Sequence, residues 1–97
     1  MTRNDLMQAY YIDREIDSWK QEDQISPISE KLEQLERTRR EILSFIMSID
    51  DPQTRLIFKL RCLNNLTWNA VADKIGGMNS EYTVKKRFYR YLDKIGA

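Results

Sequence analysis

The sequence predicts an all-α fold, an N-terminal antiparallel helical hairpin followed by a three-helix helix-turn-helix module, on three observations. Helix breakers are scarce, with three Gly and two Pro in 97 residues. Apolar residues recur at three- and four-residue steps rather than alternating. Each interruption of that period carries a cap or turn signal: Ser26-Pro27, Asp50-Asp51-Pro52, Asn64-Asn65 and Gly76-Gly77. The hairpin is expected over residues 1–50 and the second module over 51–97.

The first helix is expected from about Asn4 to Gln21, with Thr2 or Asn4 as cap and Ala9, Ile12, Ile16 and Trp19 on one face. Glu22 to Gln24 is a polar connection. Ser26 then caps a second helix, with Pro27 at the first position, where its missing N–H costs nothing. Ile28, Leu32, Leu35, Arg39, Ile42, Ile46 and Ile49 form a seam of coiled-coil type, with Arg39 its one polar member. A short connection implies antiparallel packing, with self-association through the same seam as the competing outcome. Asp50-Asp51-Pro52 stops this helix and starts the next, which turns Leu56, Ile57, Leu60 and Leu63 inward until Asn64-Asn65. Thr67 caps a short helix presenting Trp68, Val71, Ala72 and Ile75. Gly76-Gly77 makes a turn that residues with a Cβ resist. Asn79 or Ser80 caps the last helix, whose inward stripe is Val84, Phe88, Tyr91, Leu92 and Ile95.

A net charge of +1 conceals two opposed halves. Residues 1–51 hold seven basic and twelve acidic side chains, a balance of −5; residues 52–97 hold nine basic and three acidic, a balance of +6. A basic half suggests an end that binds a polyanion, and an acidic half an end that is solvated or binds a partner. The chain has no His and one Cys, Cys62. That removes an intramolecular disulfide, most zinc sites, and Ser-His or Cys-His catalysis. Asp50 and Asp51 are adjacent carboxylates, but helix capping explains them. An enzyme is therefore not expected, nor is a cofactor or metal. The polar N-terminus and the absence of a long apolar run predict no membrane association and a cytoplasmic location.

Function concentrates in Thr67 to Leu92. A helix-turn-helix needs a small residue where its helices cross, a glycine-type turn and apolar anchors on both sides. Ala72, Gly76 and the set Val71, Ile75 and Val84 supply them. Opposite the anchors, Tyr82, Lys85, Lys86, Tyr89 and Arg90 project outward, with Asn79, Ser80, Glu81 and Thr83 near the helix start. In this motif the second helix enters the major groove and its N-terminal residues meet base edges. Ser80, Glu81, Tyr82 and Lys85 are the expected base readers, and Lys86, Tyr89 and Arg90 the expected phosphate contacts. Thr67, Asn79 and Ser80 lie at helix starts, where free backbone N–H groups bind phosphate.

The run Leu66-Thr67-Trp68-Asn69-Ala70-Val71-Ala72-Asp73-Lys74-Ile75-Gly76, followed by Ser80 and Val84, is similar to region 4 of sigma-70-type factors. There a Leu-Thr-x-x-x-Ile-Ala-x-x-Leu-Gly helix precedes Ser-x-x-x-Val on the recognition helix. With the upstream seam and the Asp50-Asp51 break, residues 28–95 resemble small phage-encoded sigma-like regulators of the RinA and ArpU type. Gly77-Met78-Asn79 makes this turn two residues longer than the sigma-type turn. The resemblance implies sequence-specific binding of double-stranded DNA in phage or prophage transcription control, inside a bacterial host. It also implies a dimer through the N-terminal helices or an RNA polymerase partner, since one small module offers little contact area. Two alternatives stand beside it: a small-terminase-like packaging subunit, and a helical adaptor that binds only protein.

Overall fold

The computed structural model describes residues 1–22 and 26–96. Among them every regular element is helical and none is a strand, as expected. The order is α1 (Arg3–Met7), α2 (Ala9–Lys20), α3 (Ser26–Met47), α4 (Pro52–Phe58) continuing into a π-helical turn (Lys59–Leu63), α5 (Trp68–Ile75) and α6 (Glu81–Ile95). No described helix is long and apolar enough to cross a membrane. The molecule is elongated, 50 × 26 × 18 Å.

Thr2, not Asn4, opens the chain's first helix. Its hydroxyl accepts from the Asp5 amide while the Asp5 carboxylate accepts from the Thr2 amide, both at 3.0 Å, a reciprocal capping box. The single helix expected to Gln21 is two. Gln8 leaves helical angles (φ −97°, ψ 4°), yet its amide still bonds the Asn4 carbonyl, so the chain bends without departing. The bend divides the buried residues: Leu6 and Ala9 join the main core, whereas Ile16 is buried apart from it. Glu22 closes the end of α2, its amide bonding the Trp19 carbonyl, and α3 begins at Ser26; the rest of the expected connection, Asp23 and Gln24, and the side chain of the expected cap Ser26 fall outside the described residues.

α3 takes its stability from its seam, of which Leu35, Ile42 and Ile46 are buried, with Ile49 buried just past its end. Lys20 to Glu36 (3.3 Å) and Arg39 to Asp13 (3.0 Å) tie it to α2. Arg39 therefore stays half-buried with its guanidinium directed at α2. Trp19, expected on the inner face, is only half-buried and donates its indole N–H to Glu15 at 2.9 Å.

Asp51 starts α4. Its carboxylate accepts from the Thr54 hydroxyl (2.7 Å) and the Thr54 amide (2.9 Å), and these two bonds hold its pKa below the ordinary carboxylate value. Pro52 sits in the first turn, and Arg55 donates back to the Ile49 carbonyl. This closure sets the rotation of α4. Of the expected inward set, Ile57 and Leu60 are buried and Leu63 packs partly on the core, but Leu56 faces out, and Thr54, Phe58 and Cys62 are buried in addition. The helix then widens: the Asn64 amide bonds the Lys59 carbonyl five residues back, and Leu66 bonds Leu60. Asn65 ends it in the left-handed region at φ 55°.

The main core lies where α4, α5 and α6 meet α3. Phe58 and Phe88 stack with ring centroids 4.4 Å apart, Trp68 meets Phe88 at 5.0 Å, and Phe45 and Tyr91 close on Phe58 at 5.8 and 5.5 Å. Arg61 fixes the chain ahead of α5 by donating to the Leu66 carbonyl and lying over the Trp68 ring, 4.5 Å from its centroid.

Candidate nucleic-acid interface

α6 is positioned by one stripe. Val84, Phe88 and Leu92 have no exposed surface, and Val71 and Ala72 of α5 are buried with them. Tyr91 packs partly on the same core, but Ile95, expected inward, is exposed because it lies in the last turn, beyond the core's edge. Arg87 adds a polar tie by donating to the Gln53 amide oxygen of α4. With this side committed, the opposite side faces solvent.

The nine residues expected to touch nucleic acid fall into two groups. Thr67, Asn79 and Ser80 hold the backbone. The Thr67 hydroxyl accepts from the Ala70 amide (3.2 Å), and that of Ser80 accepts from the Thr83 amide (3.2 Å) while pairing with the Thr83 hydroxyl (2.9 Å). Asn79 donates its side-chain amide to the Gly76 carbonyl at 3.0 Å, closing the turn. Ser80 is therefore the cap of α6, and Asn79 belongs to the turn. That turn runs through Gly76 (φ 76°) and Gly77 (φ 65°), both left-handed. No atom lies within 4 Å of where a Gly76 Cβ would stand, so backbone conformation and not space selects glycine.

The remaining six are exposed but do not share one face. Tyr82, 71% exposed, and Lys86 stand together, the ammonium 5.6 Å from the ring centroid, with Arg90 one turn further along. Lys85 is exposed to one side of this group. Tyr89 is divided: its ring lies 6.1 Å from Trp68 and 5.2 Å from Phe88, with its edge open. Glu81 precedes Phe88 by seven residues, about two turns, so it sits above the buried stripe and away from Lys86 and Arg90. Met78, not among the expected contacts, is fully exposed at the tip of the turn. The doubled glycine before it was the available signal.

The charges are distributed unevenly among the described residues. Four of the five ion pairs lie within residues 1–41, and the fifth joins Arg3 to Asp93. Among those residues, no cation between Pro52 and Gly96 has a carboxylate within 4.0 Å. Arg55, Lys59, Arg61 and Arg87 bond to neutral oxygens instead. The Cys62 thiol is buried against this region, and loss of solvation pushes its pKa up to about 12, which leaves it unreactive. Among the described residues no group of three or more His, Cys, Asp or Glu gathers as metal ligands would.

No family model, curated protein or solved structure matches this chain.

Proposed function

We propose that this chain is a sequence-specific double-stranded DNA-binding protein, a phage or prophage transcriptional regulator whose α4, α5 and α6 form a helix-turn-helix of the sigma region 4 kind. The observation that carries the reading is the cationic half, whose basic side chains have no carboxylate within 4.0 Å among the described residues. Nine basic side chains follow Asp51, none of them ion-paired among the described residues. A clustered excess of positive charge on one module is the electrostatic footprint of a polyanion-binding surface. α6 concentrates this charge: its buried stripe fixes the helix, while Lys85, Lys86 and Arg90 stand clear of the protein. Tyr82 and Tyr89 add flat surface among them.

In this mechanism α6 enters the major groove with its N-terminal end foremost. Lys86 and Arg90 meet phosphates, while Tyr82 and Lys85 reach base edges. Thr67, Asn79 and Ser80 contribute through the backbone: their side chains fix the starts of α5 and α6, leaving first-turn amides available to phosphate. Glu81, above the core stripe, limits approach on one side. The packing of α2 against α3 as an antiparallel pair leaves an acidic flank that faces away from DNA and serves a second subunit or RNA polymerase.

The test is the salt dependence of binding to mixed-sequence duplex DNA. Replacing Lys85, Lys86 and Arg90 together by Ala should weaken affinity and flatten the slope of log K against log salt by roughly 0.9 for each phosphate no longer neutralised. An unchanged slope, or no binding by the wild type at about 50 mM salt, sinks the proposal. Selection of preferred sequences from a random pool then reports specificity, and the symmetry of the selected site reports stoichiometry.

A further inference from the structure

Away from α6, the outer faces of α3 and α4 leave apolar side chains uncovered. Met47 is 73% exposed, Leu43 41% and Leu56 40%. They belong to one surface. Leu43 and Met47 are four residues apart on α3, and Pro52, Leu56, Lys59 and Leu63 follow at four- and three-residue steps along α4 and its π turn. The two rows lie side by side and line an open groove between the helices. Turning Leu56 outward is a direct result of the Asp51–Thr54 cap, which commits Ile57 and Phe58 to the core.

Two parallel ridges with apolar walls are the form that receives an amphipathic helix. The rim decides which helix. Arg55 and Lys59 border the groove on α4; where it continues past Leu43, Arg40 lies beside the ion-paired Asp13 and Arg39, which leaves the rim net cationic. Arg55, Lys59 and Arg40 have no carboxylate partner among the described residues. A second copy meeting this face across a two-fold axis would bring cations against cations and so oppose itself. A helix carrying apolar anchors flanked by Asp and Glu matches both the walls and the rim. We infer that the α3–α4 groove docks an acidic amphipathic helix of another protein. The groove uses none of the side chains assigned to the duplex, although Arg55 and Lys59 belong to the cationic half on which the DNA reading rests.

A displayed library of random peptides of about 16 residues, some four turns of helix, tests it. The library is panned on the whole protein and each enriched peptide is measured again on the double variant Met47→Glu, Leu56→Glu. Both positions are exposed, and thermal unfolding by circular dichroism confirms that the variant folds. Enriched peptides should be net acidic with apolar residues at helical spacing, should weaken with salt, and should bind the variant roughly tenfold or more less tightly. A library yielding no binders, binders that are neutral or basic, or binders indifferent to the two substitutions overturns the assignment. Self-association of the wild type by sedimentation, abolished in the variant, also overturns it by making the occupant a second copy.

Discussion

At the scale of single residues, the chain uses its polar side chains mainly to begin helices. Thr2, Asp51, Thr67 and Ser80 each accept from an amide three residues on. Ser80→Ala and Thr67→Ala should each cost about 1 kcal/mol in urea unfolding, because an amide of the first turn loses its acceptor. If Ser80→Ala is silent, its bond to Thr83 is dispensable. Asp51 carries a pH signature. Its folded pKa is depressed by the Thr54 hydroxyl and amide, so its contribution is complete above the ordinary 3.8 and is lost as pH falls through the lower folded value. An acid titration of Asp51→Asn should lack that part of the wild-type decline. Cys62 behaves in the opposite sense. A thiol with a folded pKa near 12 favours folding fully below its ordinary 9.0, and this contribution disappears as pH rises between the two. An aromatic disulfide reagent should react with Cys62 at about pH 8 only when denaturant is added. These caps were legible at Thr67 and in the Asp50-Asp51 pair, where a small oxygen-bearing side chain precedes an apolar period, whereas Asn79 and Ser80 were equal candidates until the turn closed on Asn79. Thr2 and Asn4 were indistinguishable in sequence, because the choice depends on where Asp5 folds back.

At the scale of elements, α6 and its turn carry the most consequential geometry. Phe88 is fully buried between Phe58 and Trp68. Phe88→Ala should therefore cost about 3–5 kcal/mol in denaturant unfolding. A loss under about 1 kcal/mol would mean that α6 is not anchored where the core places it. Gly76→Ala should cost about 1–3 kcal/mol, read from the same melts, since φ 76° with ψ −163° is a conformation that essentially only glycine adopts even where the space is open. The register of α6 was readable, because Val84, Phe88 and Leu92 repeat every four residues and a helix with one such stripe has one way to lie down. The register of α4 was not. Leu56 and Phe58 are equally apolar, and only the closure made by Asp51, Thr54 and Arg55 decides which of them turns inward. The π turn at Lys59–Leu63 has no composition of its own, yet Leu60 and Leu63, expected inward across it, still meet the core, the first buried and the second partly so. Ile95 continued the inward spacing past the point where anything remained to pack on.

At the scale of the whole molecule, charge is divided along the sequence: among the described residues four of the five ion pairs lie within residues 1–41, and none includes a cation after Asp51. The pairs themselves add little. Asp13 and Arg39 are both partly in water, so a double-mutant cycle between them should give a coupling of less than about 1 kcal/mol. The seam of Leu35, Ile42 and Ile46, rather than this bond, holds α3 to its neighbours. The sequence by itself determined the helical class, the approximate ends of most helices, the buried stripe of α6 and the opposed charges of the two halves. These are set by neighbours within a few positions or by composition, which folding cannot alter. Tertiary structure alone decided the bend at Gln8, the rotation of α4, and the open groove beside Met47 and Leu56. Each depends on which distant surface arrives first to cover an apolar side chain, and periodicity along one helix records the existence of a face without recording what meets it.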